Sequence, residues 1–168
     1  SLNTRDFRNI NYVGIDYDNH SIDLAKSNSN AAQNVSVSFY QQDAWDLKFD
    51  SEFDIITSNG LNIYEPDDDK VVNLYKNFYQ SLKPDGVLIT SFLTPPPSVS
   101  EESTWKNYSS ADVIKQKALF VDIIGVNWQA FRTEKQIREQ LEKAGFSNIE
   151  FIYDSQGMFP TVIARKQG

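Results

Sequence analysis

The run Tyr12-Val13-Gly14-Ile15-Asp16-Tyr17-Asp18 is a short apolar strand that ends in carboxylates, and helical spacing follows it at once. Asp18 or Asn19 can cap that helix, with Ile22, Ala25 and Leu24 facing inward before the polar Ser27-Asn28-Ser29-Asn30 ends it. A strand that passes straight into a helix must cross over to reach a parallel neighbour, so the chain is constrained to a layered α/β arrangement. Ligands in such sheets bind beyond the carboxyl ends of the strands, and a carboxylate there is well suited to the vicinal hydroxyls of a ribose.

The pattern repeats along the chain. Val35-Ser36-Val37-Ser38-Phe39 alternates as a strand and runs into Gln42-Asp43-Ala44-Trp45, a second acidic strand end. Phe53-Asp54-Ile55-Ile56-Thr57 is a compact apolar run. Val71, Tyr75, Phe78 and Leu82 recur at helical spacing until Lys83-Pro84-Asp85-Gly86 breaks the chain, and Val87-Leu88-Ile89-Thr90-Ser91-Phe92 reads as a buried strand. The segment from Thr94 to about Ser110, with Pro95-Pro96-Pro97, reads as a long loop of the kind that serves as a lid or substrate loop.

A helix is expected from about Ser110 to Gly125, with Ile114, Ala118 and Val121 on one face. Thr133-Glu134-Lys135-Gln136 matches a capping box, and Ile137, Leu141 and Ala144 make the next helix amphipathic up to Gly145. Ile149 to Tyr153 and Thr161 to Ala164 should form an antiparallel hairpin around Asp154-Ser155-Gln156-Gly157. The expected fold is therefore a mainly parallel sheet with helices on both faces and a terminal hairpin.

Composition narrows the chemistry. With 168 residues, of which 40% are hydrophobic, residues 1–168 are expected to form one domain. A net charge of -7 argues against nucleic acid as a partner. The absence of cysteine excludes thiolate metal sites, and the single histidine, His20, excludes Ser-His-Asp catalysis and His-rich metal centres, so no metal is expected. His20 reads as a solvent-facing residue in the first turn of a helix, and Asp67-Asp68-Asp69 as a helix cap. No apolar run approaches the roughly 18 residues of a membrane span, so a cytoplasmic protein is expected without a membrane partner.

Gly14-Ile15-Asp16 followed by Ile22, Leu24, Ala25 and Lys26, then Asp43-Ala44, Ser58-Asn59-Gly60, Leu82-Lys83-Pro84-Asp85-Gly86 and the terminal hairpin, stand in an order that resembles the class I S-adenosylmethionine-dependent methyltransferases. The resemblance implies a Rossmann-like fold and S-adenosylmethionine as cofactor. It implies that Asp16 holds the ribose, that Tyr17 lies against adenine, and that Asp43 accepts from the adenine amino group while the N–H of Ala44 or Trp45 meets a ring nitrogen. Asn59 and Gly60 would face the methionyl end or the methyl group. Tyr64, Phe92, Trp105 and Trp128, with Tyr108, would wall the pocket of a small-molecule acceptor.

The family's first strand and Gly-rich turn should precede Tyr12, where only eleven residues stand. The chain is therefore expected to be an N-terminally truncated domain, with an inactive fragment as one outcome, whose strands at 12–16 and 53–57 pair directly, pair with another chain or drive oligomerisation. Methyl transfer by in-line displacement requires no general base, and no catalytic residue stands out. Two rivals remain. One is a nicotinamide-dependent short-chain dehydrogenase, for which Tyr79-Gln80-Ser81-Leu82-Lys83 offers the Tyr-x-x-x-Lys spacing; the other is a non-catalytic binding module.

Overall fold

The computed structural model describes residues 9–29, 34–123, 125 and 130–168. The contacts divide the chain into two compact units, residues 1–47 and 48–168.

The first unit is a strand–helix–strand crossover. Strands β1 (Ile10–Asp16) and β2 (Val35–Gln41) pair in parallel from Ile10 opposite Val35 to Asp16 opposite Gln41, and α1 (Asn19–Asn28) joins them. Gly14 lies opposite Phe39, and a Cβ there would come within 2.5 Å of that ring, which explains a glycine in the middle of a strand. The carboxylate of Asp18 caps α1 by accepting from the N–H groups of His20 and Ser21. Ile22 is buried as expected, but Leu24 is 54% exposed. At 100° per residue, Leu24 points about 200° away from Ile22 and cannot share its face.

The second unit carries a four-stranded sheet in the order β3-β4-β6-β5, where β3 is Phe53–Ser58, β4 Leu82–Ser91, β5 Ser147–Ile152 and β6 Thr161–Arg165. β3 and β4 are parallel, while β4/β6 and β6/β5 are antiparallel, so the hairpin forms as its turn chemistry predicts. Both sheets begin with a parallel pair, giving the mixed, parallel-rich α/β architecture of a Rossmann-like fold. Among the described residues β1 and β3 belong to separate sheets, each at an end of its own.

Helix α2 (Asp68–Ser81) is capped by Asp67, with Asp68 and Asp69 in its first turn, and buries Val71, Leu74, Tyr75 and Phe78. Helix α4 (Glu134–Ala144) packs against α2, carries the capping box between Thr133 and Gln136, and buries Ile137, Leu141 and Ala144. These side chains meet Leu82, Leu88, Val162 and Ala164 of the sheet in the unit's core. Burial of that many aliphatic side chains, at roughly 1.5–3 kcal/mol each, is what holds the layers together.

Three segments depart from the sequence pattern. Lys83-Pro84-Asp85-Gly86 does not separate helix from strand. The strand starts at Leu82, opposite Phe53, and the ladder resumes with Val87 opposite Ile55, so the four residues form a bulge with Asp85 at φ +62°. The helix after Ser110 is α-helical only over Ser110–Lys117 (α3) and continues as a π-turn over Ala118–Ile123. Ile114, within α3, is 68% exposed rather than inward, and the wider π winding then breaks the 3.6-residue face on which the later positions were expected; the side chain of Val121 lies outside those described.

The third is the loop before α3, which is fastened rather than open. Thr94 Oγ1 donates to the carbonyl of Gly157 at 2.9 Å, Thr104 Oγ1 to the same carbonyl at 2.7 Å, and the N–H of Lys106 to the carbonyl of Gln156 at 2.8 Å. Gly157 sits at φ +67° with the Thr104 carbonyl oxygen pressed where a Cβ would stand.

Candidate functional site

In the first unit the two acidic strand ends emerge side by side. Asp16 is opposite Gln41, and the N–H of Gln42 donates to the carbonyl of Asp16 at 3.0 Å, which leads directly to Asp43. Adjacent strands lie about 4.8 Å apart, so both carboxylates are carried at the same end of one strand pair. Each is held by a turn of its own. Asp16 Oδ1 accepts from the N–H of Asp18 at 2.8 Å, and Asp43 Oδ1 accepts from the N–H of Trp45 at 2.9 Å, capping a 3₁₀ turn over Ala44–Asp46. A carboxylate has two oxygens with several acceptor sites, so one such bond orients the group and leaves capacity for a ligand.

Tyr17 is 76% exposed beside Asp16, and its carbonyl accepts from Gln41 Nε2 at 3.1 Å. Ala44 and Trp45 are half-buried. The N–H of Trp45 is engaged by Asp43, which leaves the N–H of Ala44 as the better candidate for an adenine nitrogen. Gln42 Oε1 is buried without a hydrogen-bond partner, an acceptor next to the same strand end. His20 is exposed in the first turn of α1, and Asp18 beside it is held below the usual carboxylate range by its hydrogen bonds to Ser21 and then His20.

In the second unit, β3 ends in a turn. Asn59 Oδ1 accepts from Ser91 Oγ at 2.9 Å, tying the turn to the end of β4. Gly60 follows at φ +72°, and a Cβ there would meet Ile63 at 2.8 Å, so only glycine fits. A 3₁₀ turn over Leu61–Tyr64 continues from it and leaves Tyr64 57% exposed.

The other aromatic residues have partners of their own where they are described. Phe92 is 1% exposed and packs edge-on against Phe151 in the core. The Trp105 indole donates to Thr94 Oγ1 at 2.9 Å and stacks edge-to-face with Tyr108. Trp128 lies outside the described residues. The dehydrogenase spacing dissolves as well: Tyr79 packs on Phe146 and beneath Lys166, while Lys83 pairs with Asp54 at 2.9 Å. Two open depressions of about 630 and 330 Å³ lie around Ser147, Asn148 and Arg165, and none of the site residues expected from sequence lines them.

Sequence reasoning missed Asn62, Tyr75, Arg132 and Gln140, which form a buried polar group behind the Gly60 turn. Asn62 Nδ2 donates to the Tyr75 hydroxyl at 2.7 Å, and burial pushes that phenol well above its ordinary range. No local signal marks these residues; each lies within or beside an ordinary helix or turn pattern.

A family model described as a methyltransferase domain matches residues 1–145. The chain belongs to this family. Among solved structures, a methyltransferase chain of this kind is similar to a protein of Bordetella parapertussis described as a possible exported protein, with 46% identity and a TM-score of 0.80 over 93% of this chain and 53% of that one. The chain thus spans about half the length of that neighbour. An S-adenosylmethionine-dependent methyltransferase of Methanosarcina mazei aligns over 94% of this chain and 82% of its own at 17% identity and TM-score 0.65. Human N-acetylserotonin methyltransferase, solved in complex with S-adenosylmethionine, aligns over 95% and 41% at 16% identity and TM-score 0.61. The last two likenesses concern the fold. A search of curated proteins finds no match. The family is one of methyltransferase domains, and neither rival gains support from it.

Proposed function

We propose that this methyltransferase domain binds the adenosyl part of S-adenosylmethionine with its first unit and takes part in methyl transfer to a small-molecule acceptor. The observation that carries the proposal is the emergence of Asp16 and Asp43 at the same end of one parallel strand pair. Asp16 accepts from the two ribose hydroxyls and Tyr17 lies against the base. Asp43 accepts from the adenine amino group, and the N–H of Ala44 donates to a ring nitrogen beside Trp45.

The turn at Asn59 and Gly60 is assigned the methionyl end on the strength of the family resemblance, and Tyr64, the exposed aromatic that follows, the acceptor. Phe92 and Trp105 support that side from within the core and the fastened loop, and Trp128 is kept as a further acceptor contact. When bound, S-adenosylmethionine would supply a sulfonium-activated methyl group for an acceptor lone pair, with S-adenosylhomocysteine as the other product. The chain's own share is proximity, orientation and exclusion of water.

A small acceptor fits the net charge of -7, which repels polyanions. Self-association through the strand edges of β1 and β3, and a cytoplasmic location, belong to the same proposal.

Isothermal titration with S-adenosylhomocysteine tests it. The chain binds, and Asp16→Ala weakens binding about tenfold or more, since charge-assisted hydrogen bonds are lost. Unchanged affinity in Asp16→Ala and Asp43→Ala would remove the basis of the assignment.

A further inference from the structure

The turn after β3 is held in place by one buried guanidinium. Arg132 is 3% exposed. Its Nη1 donates to the carbonyl of Asn62 at 2.9 Å and its Nη2 to the carbonyl of Glu65 at 2.7 Å, within and just past the 3₁₀ turn. Its Nε donates to Asp68 Oδ1 at 2.9 Å in the first turn of α2, and Gln140 of α4 donates to the same oxygen at 2.9 Å. The backbone on either side is tied down too: the N–H of Arg132 donates to the carbonyl of Leu93 at 2.9 Å, and that of Ala130 to Ile63 at 3.3 Å.

A planar fork holds two carbonyls and a carboxylate in fixed directions, whereas an ammonium is a compact point donor on a flexible stem. Asp68, which also lies 2.9 Å from Nη2, compensates the buried charge, and the two carbonyls accept one hydrogen bond from each Nη. The guanidinium therefore ties the turn to α2, Gln140 joins α4 to the same carboxylate, and the Arg132 backbone joins the chain just past β4. Asn59 and Gly60 stand immediately before the clamped carbonyls, and a glycine at φ +72° has little backbone stiffness of its own.

We propose that Arg132 is a positioning residue for the cofactor: it preorganises the Asn59–Gly60 turn for the methionyl end without touching the ligand. The proposal rests on the assignment of that turn made under the proposed function. Loss of a net hydrogen bond of about 1.4 kcal/mol to the methionyl end corresponds to about tenfold in affinity, which is large enough to measure.

The test is calorimetric titration of the wild-type chain, Arg132→Lys and Arg132→Gln with two probes. S-adenosylhomocysteine carries the methionyl part; adenosine has only sugar and base. The wild type binds both, and each variant loses about tenfold for S-adenosylhomocysteine but less than about twofold for adenosine. Hydrogen exchange on the unliganded variants quickens over residues 60–65 and is unchanged over 10–16 and 35–41. Equal loss of both ligands, which is general loss of structure, overturns the proposal, as does loss of neither. A wild type that binds adenosine with the same affinity as S-adenosylhomocysteine removes the methionyl assignment, and the role of Arg132 with it, while leaving Asp16 and Asp43 in place. Binding of neither ligand by the wild type refutes the proposed function itself.

Discussion

Replacing Gly157 by alanine should be among the most damaging single-atom additions to the second unit. The residue is at φ +67°, and alanine in that region costs roughly 1–2 kcal/mol. The new Cβ would also strike the carbonyl oxygen of Thr104, a backbone atom that no rotamer change can move. Separating the two strands of chain sacrifices the hydrogen bonds from Thr94 Oγ1 and Thr104 Oγ1 to Gly157 and from Lys106 to Gln156. At about 1 kcal/mol each they add about 3 kcal/mol, for a loss of about 4–5 kcal/mol if all three break. Urea unfolding followed by far-UV circular dichroism measures it, and the thermal midpoint should fall by on the order of 10 °C. Thr94→Val, which also leaves the Trp105 indole without its hydroxyl acceptor, should cost about 1–2 kcal/mol on its own. A loss below about 1 kcal/mol in Gly157→Ala would show that the loop yields freely and that the fastening described here is not a constraint.

Thr133→Ala removes the capping box of α4 and should cost about 1 kcal/mol by the same urea assay. Burial, then the nearby charge and hydrogen bond of Glu134, push the Tyr153 phenol up to about 12 from its ordinary 10.0. The folded state thus holds this proton more tightly, so the contribution is intact below pH about 10 and is lost as pH rises from there through about 12; Tyr153→Phe should flatten the decline of stability over that window. Ile55 is 59% exposed on the end strand β3, and Ile55→Lys should weaken concentration-dependent self-association in sedimentation velocity; identical profiles would place any association elsewhere.

What could be read from sequence was local. Asp16 and Asp43 were visible as strand-end carboxylates because alternation, cap residues and helix onset all lie within a few positions of them. The Thr133–Gln136 box and the Gly145 terminus were legible for the same reason. The burial of Phe92 was not, since a large ring has the same spacing whether it lines a pocket or, like Phe92 against Phe151, fills a core. Lys83-Pro84-Asp85-Gly86 carries turn chemistry, yet hydrogen bonding to β3 on both sides turns it into a bulge. Arg132 and its partners come together across separations of 64 to 70 residues, and no periodicity reports such a meeting. The family resemblance supplied the cofactor where geometry alone supplied only carboxylates.

The bulge in β4 has a practical consequence. Pro84 and Asp85 are exposed, and the ladder has already absorbed the extra length, so register downstream from Val87 no longer depends on how long the excursion is. Because the chain contains no cysteine, a single thiol placed at Pro84 would give a chemically unique handle. A fluorophore there could report on ligand binding or assembly while leaving the strand ends untouched.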